Sequence, residues 1–131
     1  MNIKQMIILR KDLNMRKGKM VSQGGHASLK VFFDRIMNRD TMEEDGYIKI
    51  AITPEMVPWI KGAFTKVTVG VDSEDAIYQL AEKAKAEGIP CAVIVDNGFT
   101  EFHGHQTTTA LAIGPADAEK LDPLTGELPL L

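Results

Sequence analysis

Apolar and polar positions follow two different periods along this chain, and each change of period marks an element. Ile3 to Arg10 mixes Lys4 and Gln5 into the apolar run Met6-Ile7-Ile8-Leu9 and predicts a first strand. After a charged stretch, a helical period sets in from about Gly18 to Asn38. Laid out at about 100° per residue, Lys19, Gln23, His26, Lys30 and Asp34 fall within one arc of roughly 80°, while Met20, Val21, Ala27, Val31, Phe32 and Ile36 spread over the rest. Such a helix buries most of its girth and keeps one narrow polar seam.

The remaining pattern alternates. Asn38 to Gly46 is polar and predicts a loop; Tyr47 to Ile52 fits a short strand or an extended connection; Thr53-Pro54 opens a short helix through Trp59 and Ile60 that Pro58 limits. Val67, Val69 and Val71 alternate with small or polar residues in a second strand, Lys66 to Val71. Asp72 and Ser73 offer capping oxygens to a helix from Glu74 to Glu87, with Ala76, Ile77, Leu80, Ala81 and Ala84 inward and Gly88 as its stop. Pro90 to Val95 is nearly all apolar, the pattern of a central strand covered on both faces, and Asp96-Asn97-Gly98 breaks it. Thr107 to Ile113 reads as the last main strand, ending at Gly114-Pro115, with the remainder wrapping over the surface. Strands separated by helices predict a single α/β domain over residues 1 to 131, its sheet covered by helices on both faces. Sites in such sheets collect beyond the carboxyl ends of strands. The loops leading to Lys17-Gly18-Lys19 and to Asp96 would open into one crevice if their strands are parallel neighbours.

Two features give the seam chemical weight beyond that of a solvated stripe. Gly24 and Gly25 stand mid-helix, where each costs roughly 0.5–1 kcal/mol relative to alanine, so a close approach to the backbone is expected there. Arg16, Lys17 and Lys19 add cations where the helix dipole is already positive, which suits a bound anion such as phosphate. Asp96 follows five apolar residues, so partial desolvation and a nearby Lys19 would compete over its charge, although Asp-Asn-Gly is also ordinary turn chemistry. Thr100 and Thr107 to Thr109 supply hydroxyls able to orient a water or a ribose; threonine is equally what strand propensity favours. Glu101, His103 and His105 alternate in a spacing compatible with a metal, but the glycine-containing polar stretch reads better as a loop, and no metal site is assigned.

Composition narrows the partners. The net charge is −3, yet residues 1 to 40 hold nine Lys or Arg against three Asp, so the first third is strongly cationic and the rest strongly acidic. A polarised protein of this kind can hold a phosphate backbone on one side, with affinity that weakens as salt rises. The single cysteine, Cys91, lies in an apolar run and reads as a buried, inert thiol. The N-terminal run is too short and too charged for a signal peptide or a membrane span, which points to a cytoplasmic protein.

Several blocks, in this order, resemble the second type of peptidyl-tRNA hydrolase: Arg10-Lys11-Asp12-Leu13-Asn14-Met15, Lys17-Gly18-Lys19, Gln23-Gly24-Gly25-His26-Ala27, Phe64-Thr65-Lys66-Val67, Val71-Asp72-Ser73-Glu74, Asp96-Asn97-Gly98-Phe99-Thr100, Leu111-Ala112-Ile113-Gly114-Pro115 and Asp122-Pro123-Leu124-Thr125-Gly126. Ala63-Phe64 stands where that family typically has Gly-Gln, and His105-Gln106-Thr107 replaces its Pro-Gly-Thr. The resemblance implies a four-stranded mixed sheet between helices, a homodimer, and hydrolysis of the ester that joins a peptide to the terminal ribose of tRNA. It implies Lys19, Gln23, Asp96, Thr100 and Thr107 as the catalytic set; the cationic first third adds Lys11, Arg16, Lys17, Gly18, His26 and Lys30, and the strand hydroxyls add Thr109, as candidates for binding substrate or tRNA. No cofactor is implied, because the activated ester is already reactive. A non-catalytic tRNA-binding or protein-interaction module on the same scaffold, and an esterase for another small acyl substrate, are the alternatives.

Overall fold

The computed structural model describes residues 2–37, 46–98 and 102–131. Four strands form one mixed sheet in the order β2-β1-β4-β3, with β1 at Ile3–Arg10, β2 at Lys66–Val71, β3 at Cys91–Asp96 and β4 at Thr107–Asp117. Helices α1 (Lys17–Phe33) and α2 (Met56–Lys61) cover one face; α3 (Glu74–Ala86) and α4 (Ala118–Thr125) cover the other. The alternation in β1 explains this sandwich. Met6 and Ile8 point to the α3 core with Val69, Val71, Ile77, Leu111 and Ile113, while Ile7 and Leu9 point to the α1 core with Ala27, Val31, Ala110 and Ala112.

β1, β2 and the helix from Glu74 fall where their periods place them. Ser73 caps α3 by accepting from the Ala76 amide at 3.1 Å, and Gly88 follows with a φ of +70°, the left-handed conformation that a helix stop uses. The half-buried Cys91 thiol is pushed above its ordinary pKa by desolvation, in keeping with an inert group.

Four expectations change. β3 is an edge strand rather than a central one, because the β3–β4 hairpin turns β4 inward against β1. β1 and β3 both run antiparallel to β4, so they are parallel to each other but separated by it. α1 ends at Phe33, short of Asn38, because the backbone of residues 35–37 pairs with residues 49–51: Ala51 donates to the Arg35 carbonyl at 3.0 Å and Met37 to that of Lys49 at 2.7 Å. Finally, β4 continues through Pro115 to Asp117, and the segment expected to wrap irregularly forms α4, started by Asp117 accepting from the Glu119 amide and anchored by the buried Leu121 and Thr125. Most of the predicted loop from Asn38 to Gly46 lies outside the described residues.

Candidate active site

The carboxyl ends of β1 and β3, the amino end of β4 and the start of α1 meet at one end of the sheet. That geometry brings distant residues together. Lys19, in the first turn of α1, places its Nζ 2.8 Å from Oδ1 of Asp96, and both side chains are largely covered, with 11% and 14% of their surfaces exposed. Gln23, one turn later and almost fully buried, donates from Nε2 to the same oxygen at 3.3 Å. The other carboxylate oxygen, Oδ2, accepts from the Gly98 amide at 2.8 Å. Asp96 thus carries its turn with one oxygen and the lysine–amide pair with the other.

Desolvation is the largest single influence on Asp96 and raises its pKa. It is outweighed by hydrogen bonds from Lys19, Gly98 and Gln23 and by the lysine charge, so the carboxyl sits below the ordinary aspartate value. It is an ionised acceptor at neutral pH and a weak base there.

Thr107 stands directly across from Asp96 in the β3–β4 register, its hydroxyl donating to the His105 carbonyl at 3.0 Å. Thr109 lies deeper: it is completely buried, and its hydroxyl donates to Oε1 of Gln23 at 2.5 Å. It therefore has no surface for the substrate contact expected of it. Thr100 and Glu101 lie outside the described residues, and His103 and His105 are exposed.

The polar seam divides into two halves. Lys19 and Gln23 enter the site, whereas His26 is exposed and Lys30 pairs with Asp34 at 2.7 Å along the helix surface. Lys11 turns to Asp72 at 3.4 Å, its stem against Gly70. Arg16, Lys17 and Gly18 are exposed where α1 starts with no side-chain cap and no acidic residue in its first turn. Gly24 is the close approach that the sequence anticipated, since a Cβ there would lie 3.4 Å from Cγ2 of Ile7; Gly25 faces open space.

One contributor escaped sequence reading. Phe102 lies under Lys19, whose Nζ is 5.5 Å from the ring centroid, a cation–π contact that helps hold the ammonium in place. Its only sequence signal is that it is one of two aromatic residues, with Phe99, in an otherwise polar stretch.

A mixed sheet covered on both faces, with a lysine–carboxylate pair where two parallel strands end, defines a small α/β protein with a charged site at the sheet end. Residues 3–131 match the family model described as peptidyl-tRNA hydrolase PTH2. The chain belongs to that family. It is 39% identical over 130 residues to a peptidyl-tRNA hydrolase of Methanocaldococcus jannaschii, covering 98% of this chain and 100% of the relative. Relatives of the same name from Haloquadratum walsbyi and Methanopyrus kandleri are 37% and 34% identical, each over 98% of this chain and over 99% and 97% of their own lengths. A solved protein of unknown function from Agrobacterium tumefaciens shares the fold at a TM-score of 0.57 and 13% identity, over 100% of this chain and 98% of its own.

Proposed function

We infer that this chain hydrolyses the ester of peptidyl-tRNA, releasing the peptide and a tRNA ready for reuse. The observation that carries the reading is the Lys19–Asp96 contact of 2.8 Å, made across 77 positions of sequence in a chain of this family. Hydrolysis needs an oriented water, positive charge near the developing oxyanion, and a path for one proton. Lys19 supplies the charge at the carbonyl oxygen. Asp96, too weak a base at neutral pH to strip a water outright, holds Lys19 in place and orients the attacking water, with Gln23, Thr100 and Thr107 as positioning groups. Water adds to the carbonyl carbon, the ester bond to the terminal ribose breaks, and the proton lost by the water ends on the ribose oxygen.

The cationic start of α1, Arg16, Lys17 and Gly18 with Lys11, His26 and Lys30 nearby on the first third of the chain, supports tRNA binding through phosphates rather than base edges. Among the described residues no helix is long and apolar enough to cross a membrane, and we place the enzyme in the cytoplasm with its substrate. Two copies associate through the apolar flank of α1, where Val21 and Leu29 are 75% and 53% exposed beside a groove of about 670 Å³ lined by Ile7, Leu9, Met20 and Leu131.

Release of a labelled N-blocked amino acid from tRNA tests the reading. Wild type should turn over with a KM that rises with salt. Lys19→Ala and Asp96→Asn, shown to be folded by circular dichroism, should lose on the order of 10²–10³-fold in kcat. Full activity in both variants removes the site assignment. A wild type that binds tRNA without turnover establishes the non-catalytic module instead.

A further inference from the structure

The register of β4 carries an irregularity beside the site. Ile94 pairs with Ala110 but Val95 pairs with Thr108, so Thr109 is the extra residue of a β-bulge. Because side chains alternate along a strand, one inserted residue exchanges the faces of everything before it. Ala110 and Ala112 face α1, and in a regular strand Thr109 would face α3 and Thr108 would face α1. The observed contacts are the reverse: the Thr108 hydroxyl meets the Tyr78 hydroxyl of α3 at 2.9 Å, and Thr109 meets Gln23 of α1.

This placement has a chemical consequence. An ionised carboxylate only accepts hydrogen bonds, so Gln23 must present Nε2 to Asp96 and turn Oε1 the other way. With Gln23 only 2% exposed, that oxygen is cut off from bulk solvent and needs a donor inside the protein. The Thr109 hydroxyl is the donor, and it is itself fully buried. Were it absent, Oε1 would be left without its donor and the amide would be held through Nε2 alone.

We propose that Thr109 is a positioning residue of the hydrolytic site: delivered by the β4 bulge, its hydroxyl locks the Gln23 amide so that Nε2 points to Asp96. The inference rests on the reading of Lys19, Gln23 and Asp96 as the site. It predicts a residue that never touches substrate and yet sets the rate.

The test compares Thr109→Val, Thr109→Ser and Gln23→Ala singly, and the Gln23→Ala/Thr109→Val double variant, by kcat and KM on an N-blocked aminoacyl-tRNA and by NMR of the Gln23 side-chain amide. Thr109→Val should lower kcat on the order of ten-fold with KM little changed, and Thr109→Ser should restore it. In the Gln23→Ala background the valine should add no further loss, and in Thr109→Val alone the Gln23 amide protons should lose their protection from exchange. Should the valine variant fail to fold, Thr109→Ala carries the same comparison. Wild-type kcat in Thr109→Val beside a crippled Gln23→Ala overturns the inference alone, as does an equal loss in both backgrounds. Wild-type kcat in Gln23→Ala overturns the site reading and the inference together.

Discussion

The two flanks of α1 are built from one helix and differ in nearly everything else. On the flank toward β3, Lys19 and Gln23 converge on a carboxylate, and among the described residues every buried side-chain nitrogen and oxygen has a partner. On the flank toward β2, Val21, Gly25 and Leu29 border an apolar groove that continues past Phe32, Trp59, Ile60 and Phe64. The cause lies in the neighbours. Toward β3 the helix meets a hairpin whose first strand ends in Asp96, whereas toward β2 the groove runs along Lys66, Thr68 and Leu131. A helix surface acquires chemistry where its polar side chains meet a carboxylate, and stays apolar where it presents Val21, Gly25 and Leu29.

Breaking the apolar flank should have the largest effect. Val21→Asp with Leu29→Asp places charge on both sides of the groove and should shift the sedimentation coefficient from dimer to monomer, while turnover persists because both side chains line the groove rather than the Lys19–Asp96 site. A monomeric wild type would remove the proposed pairing.

The polar flank can be sharpened with pH. Because the folded state holds the Asp96 pKa below the ordinary value of 3.8, its ionised form stabilises the fold at higher pH, and this contribution is lost as pH falls through the lowered value. Asp96→Asn should therefore cost about 1–2 kcal/mol at neutral pH, and the difference in Tm between it and wild type should close below about pH 4. A gap that stays constant from pH 7 to pH 3 would show that the pair contributes nothing through charge.

The smallest effect separates the adjacent glycines. Gly25→Ala enters open space and should stabilise the chain by about 0.5–1 kcal/mol in thermal unfolding; Gly24→Ala brings its methyl against Ile7 and should gain less. Equal gains would mean that the close packing of α1 on β1 is not what retains Gly24.

Much of this was readable from the sequence, for local reasons. The apolar run Met6 to Leu9 marked a strand, and the spacing of Lys19 and Gln23 put both on one seam. What could not be read is non-local. Pro90 to Val95 has the apolar content of a central strand, but strand order depends on which way the hairpin folds, and Val95 ends up half exposed at an edge. Pro123 resembles a breaker, yet the Asp117 cap and the burial of Leu121 sustain a helix through it, and Gly126 caps the end. In the site, Asp96 after its apolar run reads by itself as a turn residue, and it becomes a candidate only together with the Lys19 seam and the family resemblance. The place of Thr109 was not legible, since an inserted residue in β4 reverses the face that its position in the alternation predicts, and nothing in Thr107-Thr108-Thr109 marks which threonine is extra.

The last residues of the chain lie along the outer side of β2, with Gly70 donating to the Pro129 carbonyl, Leu131 donating to that of Thr68, and Leu130 bridged to Val69. Those backbone groups are already spoken for, so a newcomer on this side cannot annex the sheet by adding a strand. The β2 edge of the sheet is thereby withdrawn from strand addition, and any contact on this side falls to side chains.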